Sequence, residues 1–473
     1  MAIGAAFFDL DRTILAGASG PVISESLRAE GVLRAKPVPG ERVLFGVFNA
    51  VGETLPSMLL TRQGARASRG WPVAAVRAAA QRAAGPLVAQ VLPYARYLMA
   101  EHRSAGRPLV LATTTPHDLV EPFAEALGFD DVLATRYRVA EDGQTYAGSI
   151  DGEFVWFRGK ARMVRTWADR HGASLADSYA YSDSFFDTPL LEMVGHPSAV
   201  NPDPRLAVYA ASRRWPVLWF DLPPGVPKLL GREPQRVVQQ LNRPELFPWV
   251  RLDLRGVEHI PARGGTLLVA NHRSYFDPMA IGFVLGRRGR PARFLAKREV
   301  TDVPIVGPLT RAMGAIRVDR GSGSEEPLDE AARALEAGEL VVVFPQGTIP
   351  RGEAFFEPEL KGRWGAARLA ARTGVPVVPV GIWGSEQVWP RSSRLPNVLN
   401  VANPPTVRVQ VGVPFAIGAG AGTDADADAD IDAATARIME RIVDQLPPEA
   451  RTRVAPTEAQ LAATYPPGRR PAE

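Results

Sequence analysis

The sequence predicts an α/β fold arranged in two domains. Short apolar runs alternate with helical patterns in both halves of the chain, which is typical of parallel sheets covered by helices. The length of 473 residues exceeds what one ordinary core holds. Prolines recur every few residues at 213–250, and this spacing predicts a linker between the two halves.

The N-terminal half contains apolar runs that predict strands at 5–8, 108–112, 179–182 and 197–200. Helical patterns lie at 74–101, 117–127 and 160–171. Residues 18–95 interrupt the alternation after the first strand and are expected to be helical.

The C-terminal half repeats the alternation from about residue 251. Strands are predicted at 266–270, 293–296, 340–344 and 375–382, and helices at 278–286, 324–337 and 362–373. Beyond 417, small and acidic residues alternate at 418–430, and 447–473 is rich in Pro and Ala. Both stretches predict flexible segments, with an amphipathic helix between them near 431–445.

Acidic residues directly follow the first predicted strand. Asp9 and Asp11 point the same way in an extended segment, so both carboxylates can face one site. A carboxylate can attack phosphorus to give an aspartyl-phosphate while a second acid protonates the leaving group. Three more stretches follow in order: PLVLATTTP at 108–116, RGKARMV at 158–164 and YAYSDSFFDTPLL at 179–191.

These four stretches together resemble the haloacid dehalogenase-like phosphatase superfamily, in the subgroup close to phosphoserine phosphatase. The resemblance implies a Rossmann-like phosphatase domain at 1–212, with a helical cap at about 18–95. It implies that Asp9 is the nucleophile and Asp11 the acid/base, and that Thr113 and Lys160 hold the phosphoryl group. It also implies a Mg²⁺ ion, whose expected carboxylate ligands are Asp9, Asp11, Asp183 and Asp187.

The second of these stretches departs from the usual pattern of the subgroup. Phosphoserine phosphatases usually carry Ser-Gly-Gly there, whereas this chain has Thr113, Thr114 and Thr115. The larger side chains leave the backbone less free to approach a ligand, which argues against phosphoserine as the substrate.

A His and an Asp five residues apart follow the strand-like run in TLLVANHRSYFD at 266–277. A neutral imidazole is a suitable base for an alcohol, and a carboxylate on its other nitrogen fixes the tautomer. Such a spacing on a regular helix separates two side chains by about 140°. We therefore expect His272 before the helix, Asp277 on its first turn, and Ser274 as the helix cap.

Together with FPQGTIPRG at 344–352, this motif resembles the glycerolipid acyltransferase family, best known for the 1-acylglycerol-3-phosphate acyltransferases. The resemblance implies an α/β acyltransferase domain at 251–417, with His272 and Asp277 catalytic. It implies acyl-CoA or acyl-carrier protein as the acyl donor and a lysophospholipid as the acceptor. The expected substrate-binding residues of this domain are Asn271, Lys297, Gln346, Gly347, Thr348 and Arg351.

The third motif of that family usually reads Phe-Pro-Glu-Gly-Thr-Arg, but this chain has Gln346 and Ile349 at two of its positions. The family uses the Arg for the phosphate of the acceptor, and an isoleucine cannot do so. Arg351, Lys297 and Arg317 are the alternative cations.

The composition limits where the protein acts. The chain contains no cysteine, which excludes disulfides and thiolate catalysis and is compatible with a reducing compartment. It lacks signal-peptide features and an apolar run of about 18 residues, so no transmembrane helix is expected. Cytoplasmic localisation follows, with peripheral contact at the inner face of the cell membrane; no nucleic-acid partner is expected.

Two stretches are candidates for contact with anionic lipid. The linker at 213–250 interleaves aromatic and basic residues, and the stretch 286–298 holds six basic residues and no acid. Interdomain packing for the first and a solvated face for the second remain open alternatives.

The motifs together predict a bifunctional enzyme of phospholipid biosynthesis. The C-terminal half is expected to convert 1-acylglycerol 3-phosphate to phosphatidic acid, and the N-terminal half to act as a Mg²⁺-dependent phosphatase. Two alternatives remain. In the first, the acyl acceptor is a different lysolipid or glycerol compound. In the second, the N-terminal half is a non-catalytic docking or regulatory module.

Overall fold

The computed structural model describes residues 4–34, 62–223, 226–228, 231–241, 243–297, 310, 313–318, 326–418 and 424–468. The chain divides into two compact units, Met1–Pro224 and Gly225–Glu473. Each unit contains a seven-stranded sheet of its own. The expected α/β class is therefore confirmed for both halves.

The first unit has a mostly parallel sheet with the strand order β4-β3-β2-β1-β5-β6-β7. Only the pair β3–β4 is antiparallel. The strands are β1 Ala6–Phe8, β2 Leu109–Pro116, β3 Asp131–Val139, β4 Tyr146–Asp151, β5 Tyr179–Ser182, β6 His196–Val200 and β7 Val217–Leu218. The four strands expected from the sequence are among them.

Helices of the first unit connect and cover this sheet. They are α1 Gly20–Ala29, α2 Val73–Val88, α3 Pro93–Ser104, α4 His117–Leu127, α5 Arg158–His171, α6 Thr188–Leu191 and α7 Pro204–Arg213. Phe7 and Trp167 meet edge to face in the core, with ring centroids 5.5 Å apart.

Two expectations for this unit need correction or restriction. The single helix expected at 74–101 is two helices, because Pro93 lacks an amide hydrogen and starts a new helix at its first position. The expected helical region 18–95 contains α1 and α2, but residues 35–61 lie outside the described part of the chain.

The hairpin β3–β4 was not expected from the sequence. Its turn contains Asp142 and Gly143, and Gly143 adopts a φ of 67°. The carboxylate of Asp142 accepts the amide hydrogens of Gln144 and Thr145 at 2.8 and 3.1 Å. Asp-Gly between alternating apolar residues is a known hairpin signal, so this element was predictable.

The second unit has the strand order β11-β10-β12-β9-β13-β14-β8, in which only β13–β14 is antiparallel. The strands are β8 Arg251–Arg255, β9 Thr266–Ala270, β10 Arg293–Lys297, β11 Ile316–Val318, β12 Leu340–Val343, β13 Val377–Trp383 and β14 Thr406–Val411. The helices are α8 Pro234–Leu241, α9 Asp277–Arg288, α10 Glu326–Glu336, α11 Gly365–Thr373, α12 Ser385–Val388, α13 Asp424–Val443 and α14 Glu458–Ala463.

The flexible ends expected after residue 417 are partly wrong. Helix α13 begins inside the Asp-Ala repeat, and its residues Ile438 and Ile442 are buried against the core. Helix α14 lies inside 447–473 and starts with a capping box between Thr457 and Gln460. The helix expected near 431–445 is present as part of α13, but it begins earlier than expected, and α14 was not expected because its capping box lies in a Pro- and Ala-rich stretch.

Some residues of the two stretches considered for lipid contact pack inside the units. In 286–298, Arg290 donates to the carbonyl oxygens of Pro261 and Gly264, both at 2.8 Å, and Arg293 forms buried ion pairs with Glu233 and Glu339.

Aromatic residues of 213–250 also pack inside the units. Phe220 is buried in the first unit. In the second unit, Phe247 packs on Phe283 with centroids 5.0 Å apart, and Trp249 packs on Phe276 at 5.8 Å. No helix in the described part of the chain is long and apolar enough to cross a membrane.

Candidate functional sites

In the first unit, a buried lysine joins two of the expected carboxylates. Asp9 follows β1, and Lys160 lies in the first turn of α5. The Lys160 Nζ atom donates to Asp9 Oδ1 at 2.8 Å and to Asp187 Oδ2 at 2.7 Å. Lys160 and Asp187 are each 1% exposed or less, so water does not screen these ion pairs.

Thr13 links Asp9 to Asp183. Its hydroxyl lies 3.2 Å from Asp9 Oδ2 and 3.4 Å from Asp183 Oδ1, and it accepts the Asp183 amide hydrogen at 3.0 Å. Arg12 has a φ of 58°, and its Nε lies 3.4 Å from Asp183 Oδ2. Thr13 and Arg12 were not among the site residues expected from the sequence, although both lie close to the expected nucleophile in the chain.

Asp11 contacts different groups from those that contact Asp9. Its carboxylate accepts the backbone amide of Ser19, which precedes α1, and the Thr115 hydroxyl at 3.4 Å. Burial raises the pKa of Asp11, and these hydrogen bonds oppose the shift. A carboxyl group with a raised pKa is suited to donating a proton.

The three threonines in the last part of β2 have separate contacts. Thr113 is buried, and its hydroxyl accepts the amide of Thr115 at 3.2 Å. The Thr114 hydroxyl donates to the carbonyl of Val155 at 2.9 Å.

The charge balance of this site favours a bound cation. Four carboxylates, those of Asp9, Asp11, Asp183 and Asp187, surround two cations, Lys160 and Arg12. Burial is the main cause that raises the pKa of Asp9 to about 6, against the opposing charge of Lys160. Asp187 Oδ1 is buried without a hydrogen-bond partner among the described residues. Hard carboxylate oxygens with excess negative charge fit Mg²⁺.

In the second unit, His272 and Asp277 form a hydrogen-bonded pair. The Nδ1 atom of His272 lies 2.7 Å from Asp277 Oδ2, and Asp277 is fully buried. The same oxygen accepts the amides of Arg273 at 2.6 Å and Ser274 at 2.8 Å. Helix α9 begins at Asp277, so the five-residue spacing is accommodated by the turn before it.

Ser274 stabilises this turn but is not the helix cap expected from the sequence. Its hydroxyl accepts the amide of Phe276 at 3.0 Å and donates to the carbonyl of Trp389 at 2.6 Å. The N-cap position of α9 is Phe276, which makes no side-chain cap hydrogen bond, so the helix begins three residues after Ser274.

The two acyltransferase-type motifs meet at His272. Its ring stacks on Phe344, with centroids 4.4 Å apart and planes at 23°. Its backbone amide donates to Gln346 Oε1 at 2.6 Å. This hydrogen bond requires an oxygen acceptor, which both glutamine and glutamate supply.

The Asn271 side chain forms two hydrogen bonds with the backbone of Ile382. Its side-chain amide donates to the carbonyl of Ile382 at 2.9 Å, and its Oδ1 accepts the amide of Ile382 at 2.7 Å. These bonds tie the end of β9 to β13. The geometry favours a positioning role over the substrate-binding role expected from the motif.

The altered part of the third motif is partly buried. Gly347 adopts a φ of 70°, and Ile349 is 3% exposed. Arg391 donates to the carbonyl oxygens of Ile349 and Pro350. Thr348 is half-buried.

The alternative cations occupy three different parts of the chain. Arg351 and Arg317 are exposed, and Lys297 ends β10.

Sequence reasoning missed Arg273, which stands next to His272. Its guanidinium lies 4.1 Å from the ring of Phe355 and 4.3 Å from the ring of Trp383. Its Nε and Nη2 atoms each lie 3.3 Å from a carboxylate oxygen of Glu386. Arg273 therefore fixes the turn that carries His272.

Comparison with known families agrees with the two sites. The family described as haloacid dehalogenase-like hydrolase matches residues 6–192, and the family described as acyltransferase matches residues 251–383. These ranges contain the two constellations described above.

Three known proteins illustrate the similarity. The inhibition of morphological differentiation protein of Streptomyces azureus is 38% identical over 221 residues, which cover 46% of this chain and 79% of that protein. A probable phosphatase of Mycobacterium tuberculosis is also 38% identical, over 46% of this chain and 76% of that protein. The crystal structure of the 1-acyl-sn-glycerophosphate acyltransferase PlsC from Thermotoga maritima aligns with 45% of this chain and 83% of that one, at 23% identity and a TM-score of 0.31. The chain belongs to the haloacid dehalogenase-like hydrolase family through its N-terminal unit and carries an acyltransferase domain in its C-terminal unit.

Proposed function

We propose that this chain is a bifunctional enzyme of phospholipid biosynthesis. Residues 251–417 acylate 1-acylglycerol 3-phosphate from acyl-CoA or acyl-carrier protein, and residues 1–212 hydrolyse a phosphomonoester with Mg²⁺. The observation that carries the proposal is the pair formed by His272 Nδ1 and Asp277 Oδ2 at 2.7 Å. The linker at 213–250 and the segment 418–473 flank the acyltransferase domain.

Acyl transfer follows from the orientation of His272. With Nδ1–H donated to Asp277, the Nε2 atom is the nitrogen that accepts a proton. It removes the proton of the acceptor hydroxyl as the oxygen attacks the thioester carbonyl. The C–S bond then breaks, and the imidazolium returns the proton to the departing thiolate. Asp277 stabilises the imidazolium. Because the thioester is already activated, the hydroxyl can attack it directly and no covalent enzyme intermediate is required.

A phosphate-bearing acceptor requires a cation that replaces the absent arginine at 349. We assign this role to Arg351 because it is exposed and lies two residues from Ile349. The left-handed backbone at Gly347 turns the chain here, and its amide donates to the carbonyl of Phe344 at 2.8 Å. Thr348 and Lys297 are the remaining candidate ligands of this acceptor.

Phosphate release is assigned to Asp9 and Asp11. The Asp9 carboxylate attacks phosphorus, the P–O bond to the alcohol breaks, and Asp11 protonates the leaving oxygen. Water then hydrolyses the aspartyl-phosphate. Lys160 holds Asp9 in place, and with Thr113 it contacts the phosphoryl group. Asp9, Asp11, Asp183 and Asp187 are the residues that would hold Mg²⁺, which would supply charge neutralisation for the phosphoryl oxygens.

A second candidate for the acyl acceptor is an uncharged lysolipid or monoacylglycerol. The burial of Ile349 favours it, because the position of the family's arginine is apolar and closed here. A non-catalytic docking role for the first unit is the other alternative.

One experiment distinguishes these functional alternatives. The purified protein is offered acyl-CoA or acyl-carrier protein with lysophosphatidate, other lysolipids, monoacylglycerol and glycerol 3-phosphate, and mass spectrometry identifies the products. Phosphatidic acid as the main product supports the proposal. Preference for an uncharged acceptor would overturn the lysophosphatidate assignment. In parallel, lack of Mg²⁺-dependent hydrolysis across a broad panel of phosphomonoesters would favour the docking role.

A further inference from the structure

The second unit exposes an unusually apolar loop at 395–401, here called the apolar loop. Leu395 is 74% exposed, Leu399 89%, Val401 52% and Val398 46%. Single exposed apolar residues are normal on a protein surface, but clustered ones mark interaction sites. These four side chains lie within seven consecutive residues.

The apolar loop has a defined backbone. The amide of Asn397 donates to the carbonyl of Val388 at 3.0 Å. The indole of Trp389 donates to the carbonyl of Ser393 at 3.2 Å, just before the loop. Hydrogen bonds therefore hold the loop backbone against Val388 and Trp389, while the large side chains of the loop remain exposed.

The same segment connects the apolar loop to the His272 turn. Trp389 accepts the Ser274 hydroxyl and lies edge to face with Tyr275, with ring centroids 5.8 Å apart. Tyr275 is 42% exposed and Met279 is 40% exposed. Trp389 therefore links the apolar loop to the turn after His272, where two further apolar side chains are exposed.

The charge of the segment that contains the loop suits an anionic surface. The sequence from 387 to 423 contains no Asp or Glu, and Arg394 is exposed directly before Leu395. An apolar surface with neighbouring cations is the combination that binds anionic bilayers, because side chains enter the acyl boundary while cations remain at the headgroups.

We propose that the apolar loop, with Tyr275 and Met279, is the surface by which this protein docks on an anionic lipid bilayer. Leu395 and Leu399 enter the headgroup–acyl boundary, and Arg394 contacts the headgroups. An acceptor lipid then reaches His272 directly from the membrane. This inference rests on the proposed acyl transfer to a lysolipid and names the place where that lipid is delivered.

The absence of cysteine makes a direct test possible. Leu399→Cys is labelled with an environment-sensitive fluorophore and mixed with phosphatidylcholine vesicles with or without phosphatidylglycerol, in the absence of acyl donor. Val208→Cys in α7 of the first unit is the matched control, because Val208 is 72% exposed. We expect a blue shift at 399 with the anionic vesicles and none at 208. An unchanged emission at 399, or equal shifts at both positions, overturns the proposal.

Unlabelled variants provide a second readout. Leu395→Gln with Leu399→Gln should lower partitioning onto anionic vesicles by about tenfold or more, given the apolar area that each leucine buries. Val208→Gln should leave partitioning unchanged. Unaltered partitioning of the double variant would contradict the proposal.

The two proposals fail separately in these experiments. Docking through residue 399 without formation of any acylated product would refute the proposed acyl transfer and leave the docking surface. Product formation without a vesicle response at 399 would refute the docking surface alone. If the emission shift at 399 increases with protein concentration and does not depend on vesicles, the loop mediates self-association, and the lipid-docking proposal is overturned.

Discussion

The Nδ1 atom of His272 lies 2.7 Å from Oδ2 of Asp277, although the two residues are five positions apart. The carboxylate oxygen also accepts two backbone amides of the intervening turn. One buried carboxylate therefore fixes both the shape of the turn and the tautomer of the imidazole. The chain's own contacts therefore hold this proposed catalytic pair together.

Gln346 should support catalysis through its contact with the backbone of His272. Gln346→Leu removes the oxygen acceptor and leaves a part-buried amide unsatisfied, which costs about 1–3 kcal/mol. We expect acyl transfer to fall roughly tenfold, mainly in kcat. Gln346→Glu retains the acceptor and is the matched control, with an expected rate within about threefold of wild type. Equal losses in both variants would contradict this role.

Asp9 should be essential for phosphate release and dispensable for acyl transfer. Asp9→Asn retains the size of the side chain, but an amide cannot form the acyl phosphate. We expect no Mg²⁺-dependent release of phosphate from an aryl phosphate, with acyl transfer unchanged. Full hydrolysis by this variant would remove Asp9 from the mechanism.

Arg351 should discriminate between acceptors. A charge-assisted hydrogen bond is worth about 1.5–3 kcal/mol, so Arg351→Ala should raise KM for lysophosphatidate by roughly ten- to a hundredfold. KM for a monoacylglycerol should change little. A uniform effect on both acceptors would show that Arg351 has a structural role.

His102 should make the first unit less stable in acid. Burial, with the nearby charge of Arg107, lowers the pKa of His102 to about 4. Its Nε2 atom lies 2.9 Å from the Tyr181 hydroxyl, and its ring contacts Tyr179 and Phe8. The unfolded chain binds a proton on this histidine near pH 6.5 and the folded chain does not. The free energy of unfolding should therefore decrease as pH falls from about 6.5 towards 4.

The measurement compares wild type with His102→Gln, which lacks this titration. Urea unfolding at several pH values between 7 and 4 should show an additional loss of roughly 1–3 kcal/mol in wild type. Parallel declines in the two proteins would show that His102 does not contribute.

The sequence predicted local features of the sites and missed the long-range ones. The order of residues from β9 through Ser274 to Asp277 required a turn before a helix, and the helix begins at Asp277. The contacts of Asn271 with Ile382, 111 residues away, depend on the pairing of β9 with β13. No local pattern contains that pairing, so the motif alone suggested substrate binding.

The same distinction holds for the basic stretch at 286–298. Its composition indicated an exposed cationic surface, but Arg293 is buried between Glu233 and Glu339, which are distant in the sequence. The exposed apolar loop at 395–401 was not singled out, because single leucines and valines give no sign of their exposure. Tertiary packing decides both cases.

The most direct test of the account is acyl transfer by His272→Ala with lysophosphatidate as the acceptor. Removal of a general base typically costs about 10²–10⁴-fold in rate. We predict a loss in this range, with phosphate release by the first unit unchanged in the same preparation. Phosphatidic acid formed at the wild-type rate by His272→Ala would contradict the central claim.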